Sequence, residues 1–170
     1  MSFYDITTKI REHLIANSQV NTVTEGDIFE VDLNKQTIFP LSHIMINNVT
    51  FNDIGITYNM SILFMDVADV SKDDPREEAE IFYGVDNRHD ILNTQLLVAN
   101  DLVSHLKRGD LMQDKYQLNG QPTCEPFEDR FENLLVGWNL TLSIDIANTC
   151  LLYTSPSPRD RTRSRMPSSA

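Results

Sequence analysis

Apolar residues recur along this chain with two periods, and the alternation between them lays out the elements. Phe3, Ile6, Ile10 and Leu14 share one face at helical spacing, with Lys9, Arg11 and Glu12 off that face, which predicts a helix over 3–16. Ser2 stands at the cap position with Asp5 three residues on, and Asn17-Ser18 closes the segment. Asp27–Asp32 reads as a short strand. A connection through Asn34-Lys35-Gln36 and Pro40 then leads to a second strand over Leu41–Val49. The clearest sheet signal follows, where Ile54, Ile56, Tyr58, Met60, Ile62 and Phe64 alternate with Thr57, Asn59 and Ser61. From Leu63 to Val67 both faces are apolar, so that end is expected to be covered twice.

Val70–Asp90 is a charged stretch containing Lys72-Asp73-Asp74-Pro75-Arg76-Glu77-Glu78. It is longer than most connections and reads as a functional or mobile loop. Asp90 is the expected cap of a second helix, near 90–107, whose apolar face holds Ile91, Leu92, Gln95, Leu96, Ala99, Leu102, Val103 and Leu106. Lys107-Arg108 complement its C-terminus and Gly109 ends it. Tyr116–Gly120 reads as a strand entering a turn, and Glu125–Phe131 as part of a polar-aromatic linker. A final strand alternates Trp138, Leu140, Leu142, Ile144 and Ile146 with Asn139, Thr141, Ser143 and Asp145. The order helix, strands, helix, strands predicts an α+β fold. A mainly antiparallel sheet, including roughly 56–67 and 136–147, carries the two helices on one face. The expected core is Ile62, Phe64, Leu96, Leu102, Leu106, Trp138, Leu140, Leu142, Ile144 and Ile146.

Composition alters this picture at the C-terminal end. From Cys150 the chain turns basic and rich in Ser and Pro, and Cys150–Asp160 and Ser164–Ala170 resemble the two translated ends of a sequencing adapter. Arg161-Thr162-Arg163 stand between them where an index belongs. The expected organisation is one α+β domain over 1–149 followed by an adapter-derived, disordered tail over 150–170 that packs against nothing. The true C-terminus is expected to have been replaced near Thr149. The whole chain has 14 basic and 25 acidic residues, net −11. Without Arg159, Arg161, Arg163, Arg165 and Asp160 the balance is ten against 24. Such a surface argues against a phosphate-tracking nucleic-acid binder. The N-terminus resembles no signal peptide, no stretch reaches membrane-span length, and Cys124 and Cys150 form no disulfide framework.

Candidate chemistry is sparse. His13, His43, His89 and His105 share no metal-ligand spacing with another His or Cys, and His13 and His105 sit beside apolar helix faces. Satisfied core or boundary histidines are the favoured reading. No HExxH, GxSxG, Walker or GxGxxG pattern occurs. Cys124 has the acidic neighbour Glu125, which raises a thiol pKa and disfavours a nucleophile. Asp66, Asp69, Asp73 and Asp74 read as a solvated acidic loop, since their spacing is not that of a calcium site. Arg108-Gly109-Asp110 and the glycosylation-like triplets at Asn48, Asn59 and Asn139 are chance matches. No enzyme, catalytic residue, cofactor or metal is expected.

Three segments carry a resemblance: Asp32–His43, Asp90–Leu96 and Phe127–Trp138. Together they resemble a group of tailed-bacteriophage proteins, and the element order is similar to the tail-terminator, or tail-completion, family. The resemblance implies a virion structural protein forming a ring at the head-proximal end of the tail. It implies a ring homo-oligomer (a hexamer is one such ring), with the tail tube and head–tail connector proteins as partners. Neither membrane attachment nor specific nucleic-acid binding is implied, and the location is host cytoplasm during assembly, then the virion. A second reading is an acidic interaction module or assembly chaperone for another phage protein. The candidate interface lies on Val70–Asp90 and Gln121–Asn133, where aromatics stand among charges: Arg76, Phe82, Tyr83 and Arg88, then Phe127, Arg130 and Phe131.

Overall fold

A computed structural model describes residues 3–31, 33, 35–52, 55–68, 87–108, 116–130 and 134–147. The fold is α+β. Helix α1 (Phe3–Ala16) precedes β1 (Thr22–Glu25), β2 (Leu41–Phe51) and β3 (Gly55–Val67); α2 (Arg88–Arg108) then leads to β4 (Tyr116–Arg130) and β5 (Leu135–Ala147). The five strands form one sheet in the order β1-β2-β3-β5-β4, with β1 parallel to β2 and the remaining pairs antiparallel.

Alternation in the strands sets which side is buried. Met60, Ile62 and Phe64 of β3 stand beside Leu142, Leu140 and Trp138 of β5. Both helices close on this side. Ile6, Ile10 and Leu14 of α1 and Val98, Ala99, Leu102 and Leu106 of α2 join Ile44, Met60, Ile62, Phe64, Leu140, Leu142, Ile144 and Ile146 in one buried cluster. The expected double cover near Leu63 is present. Leu63 and Met65 point to the opposite side and pack with Ile28, Phe39, Leu41, Phe127 and Leu135 in a second cluster.

Several expectations change. The strand expected over Asp27–Asp32 is not formed in its described part, because Ile28–Glu30 forms a 3-10 turn in which the Asp27 side chain accepts from the Phe29 N–H at 3.1 Å. Asp27 follows Gly26, whose φ of 114° turns the chain out of β1. The strand there is β1, a β-branched Thr-Val-Thr run ahead of the turn. Tyr116–Gly120 and the expected linker are one 15-residue strand, β4. Its Gly120 (φ 73°) and Pro122 fall in a register shift between Asn119 and Thr123 instead of a hairpin. An edge strand tolerates both, since only one of its sides must pair.

Helix α2 begins at Arg88, two residues before the expected cap. Its buried stripe is Ile91, Gln95, Val98, Ala99, Leu102 and Leu106, which leaves Leu96 outside the core, 40% exposed. Trp138 is half-buried, with its indole N–H donating to the Leu92 carbonyl at 2.7 Å, so it belongs to the sheet–helix boundary. Asp66 lies in β3, half-buried, where its Oδ1 accepts from the Val67 N–H at 2.8 Å. It therefore does not belong to a solvated loop, and burial raises its carboxyl above the usual range. The expected tail 150–170 lies outside the described residues, as do Asp69, Asp73 and Asp74.

Candidate functional site

Three regions present chemistry to a ligand or partner: the sheet edges, the sheet side opposite the helices, and the α1–α2 contact. At one edge lies β1, four residues long and parallel; at the other lies β4, fifteen residues long and antiparallel. Among the described residues neither has a further strand beside it. Their free backbone groups are hydrogen-bonding surfaces, although Pro122 and Pro126 deny β4 two donors.

Opposite the helices, cross-strand polar residues bond to one another. Asn59 donates to Asn48 Oδ1 at 2.6 Å and its own Oδ1 accepts from the Ser143 hydroxyl at 2.5 Å. Thr57 donates to Asp145 Oδ1 at 2.5 Å and accepts from Asn52 at 2.9 Å. Between Ile46 and Asn48 the β2–β3 register shifts, and the extra residue, Asn47, donates to Ser61 Oγ at 2.8 Å. Asn48, Thr50, Gln117, Asn119, Thr123 and Thr141 are exposed. Over this stretch the side opposite the helices is a hydrogen-bonded polar surface, while the apolar positions toward its other end, Leu63, Met65, Phe127 and Leu135, are packed in the second cluster.

Where β1 leaves the sheet, a cleft of about 500 Å³ is lined by Thr7, Glu25, Gly26, Asp27, Ile44, Met45, Ile46 and Asn47. Its charged residues are carboxylates, so it suits cations better than phosphates. His43, fully buried, stands next to it in sequence. Its Nε2 lies 3.2 Å from the Gly26 carbonyl, which can only accept, so Nε2 carries the proton and Nδ1 accepts from the Thr24 hydroxyl at 2.7 Å. Burial holds this imidazole below its ordinary pKa, against smaller opposing effects of the Gly26 carbonyl and Asp27.

No protein-family model and no curated protein matches the chain.

The candidate interface residues do not gather into one patch. Arg76, Phe82, Tyr83 and Phe131 lie outside the described residues, and Arg130 ends β4 opposite Leu135. Phe127 is 6% exposed in the second core cluster, where it faces Gly137 across the β4–β5 ladder, so it is a core residue and not a contact aromatic. Arg88 is half-buried at the start of α2, with Nη1 3.5 Å from Glu128 Oε2 of β4. Its acid partner is therefore within this chain.

Cys124 is half-buried on the helix side, and burial pushes its thiol pKa up. The direction is the expected one; the cause is desolvation. A raised pKa leaves little thiolate for nucleophilic chemistry.

Two histidines assigned separately to helix boundaries meet across the fold. His13 Nε2 of α1 lies 3.1 Å from Asp101 Oδ2 of α2, and His105 Nδ1 lies 3.8 Å from Asp101 Oδ1. The two imidazole centroids are 4.1 Å apart. Asn17 donates to Asp101 Oδ2 at 3.3 Å. Burial, then the neighbouring His105, lowers the His13 pKa, and Asp101 partly opposes both. The i,i+4 placement of Asp101 and His105 on one helix face was visible in the sequence. Their approach to His13 was not, since Asp101 is 88 positions away from it.

Proposed function

We propose that this chain is a structural protein of a tailed-bacteriophage virion, a tail terminator or closely related neck component that works as a closed ring. The pair of unlike sheet edges carries the reading. A ring needs every protomer to offer two different, complementary surfaces, because the contact is head-to-tail. Here a short parallel edge, β1, and a long antiparallel edge, β4, lie at opposite ends of one sheet. Their separation suits a contact that propagates from protomer to protomer. The order of helix, strands, helix and strands agrees with the layout that the resemblance implies. In this reading the partners are further copies of the chain, the tail tube and the head–tail connector. The net charge of −11 would make carboxylates facing a ring lumen repel passing DNA.

Light scattering and electron microscopy of the full chain at high concentration, with and without isolated tail tubes, test the proposal. Rings that cap the tubes are the expected result. A monomer at every concentration, with no binding to tubes, overturns it. A soluble heterocomplex that never enters the virion would establish the chaperone reading instead.

A further inference from the structure

We propose that His13, Asp101 and His105 form a three-ligand site for a divalent transition-metal ion of the zinc class, which staples α1 to α2. Their donor atoms, two imidazole nitrogens and a carboxylate oxygen, all lie within 4.8 Å of one another. An ion about 2.0–2.1 Å from each of three ligands holds them roughly 3.0–3.5 Å apart. His13 Nε2 lies 3.1 Å from Asp101 Oδ2 and His105 Nδ1 lies 3.8 Å from Asp101 Oδ1, so the carboxylate turns one oxygen toward each imidazole and side-chain adjustment closes the three ligands on an ion.

The donor set selects the class of ion. Calcium and magnesium favour all-oxygen sites, and copper(I) favours sulfur, whereas imidazole with a carboxylate suits zinc, nickel, cobalt and iron(II). Access and anchoring are divided between the helices. The His13 side chain is 16% exposed and held by α1, while those of Asp101 and His105 are 43% and 42% exposed. The ion therefore has a path from solvent, and the half-buried His13 fixes where it stops. Asn17, bonded to Asp101 Oδ2, orients the carboxylate from outside the coordination sphere. Three protein ligands leave a position for water or for a side chain of another molecule. The site does not depend on the ring proposal, and either can fail without the other.

Zinc binding to the metal-stripped full chain by calorimetry, with cobalt(II) absorption as the second readout, tests this site. One ion per chain is expected, together with a melting temperature raised by zinc and unchanged by magnesium. Asp101→Asn and His105→Ala should each weaken zinc binding by roughly tenfold or more and alter the cobalt spectrum. His89→Ala, at an exposed position near the start of α2, should change neither. Circular dichroism without metal checks that each variant folds. Should His13→Gln unfold the protein, the exposed-side variant His105→Ala carries the test alone. Failure to take up zinc or cobalt overturns the proposal. So does uptake that survives Asp101→Asn together with His105→Ala, or that is lost equally in His89→Ala.

Discussion

The two faces of β5 use one backbone ladder for different ends. Toward the helices stand Leu140, Leu142, Ile144 and Ile146, all buried; away from them stand Thr141, Ser143 and Asp145, which bond across to β3 or meet solvent. Burying an aliphatic side chain is worth about 1.5–3 kcal/mol. A polar cross-strand bond nets only about 0.5–1.5 kcal/mol, because water competes for the same groups. The apolar face therefore supplies most of the stability and the polar face mainly marks the register. A one-residue slip would bury Ser143 and expose Ile144 together. A hydrogen-bonded surface of amides and hydroxyls also gives a second sheet little apolar area to bury there.

The sharpest way to break this comparison is a pair of truncations on opposite faces. Phe64→Ala, at a fully buried site in the helix-side cluster, should cost about 3–5 kcal/mol in chemical denaturation. Ser143→Ala, on the same sheet but facing away, should cost about 1 kcal/mol. Equal losses would mean that the polar network carries far more energy than its exposure allows.

The second substitution acts where the faces share backbone. Gly137 sits in β5 opposite Met65, and a Cβ there would stand 1.9 Å from the Phe64 carbonyl oxygen and 2.9 Å from Met65 Cα. Both neighbours are main chain, so no side-chain rotation relieves the contact. Gly137→Ala should cost about 1–3 kcal/mol, the range of overpacked cores, or more. A melting temperature equal to that of the parent would show that β3 and β5 can separate here without losing their ladder.

What could be read from the sequence follows from the same asymmetry. Helix α1 and strands β3 and β5 were legible because each has one fully used apolar face, so the period is complete. Strand β4 was not. It has one neighbouring strand, and its Gln117, Asn119, Gly120, Gln121, Thr123 and Glu125 are exposed, so it carries the composition of a loop while pairing as a strand. Phe127 was misread for the same reason: among charged neighbours it resembles a contact aromatic, and only its place opposite Gly137 makes it core. Leu96 shows the converse limit, since an apolar residue one position past Gln95 falls off the buried stripe of α2. The His13–Asp101–His105 cluster is a tertiary juxtaposition, and only the α2 half of it has a sequence spacing.

The smallest expected effect tests whether the buried polar corner between β1 and β2 behaves as core. His43 is held neutral by burial, with Nε2–H given to Gly26 and Nδ1 accepting from Thr24. Its folded pKa is below the unfolded one, about 6.5. Below that value the unfolded chain takes up a proton that the folded chain resists, so stability falls with decreasing pH until the folded pKa is reached. One such group contributes less than about 1.4 kcal/mol per pH unit. Asp66, whose folded pKa is raised, acts with the opposite sign: its contribution falls as pH rises from about 3.9 toward its folded value. Because Asp66 remains in both proteins, the difference between parent and His43→Gln isolates the histidine. Denaturation midpoints from pH 7.5 to 5 should fall more steeply in the parent than in His43→Gln. Parallel profiles would mean that His43 protonates as readily folded as unfolded, and that the corner beside the cleft is open to water.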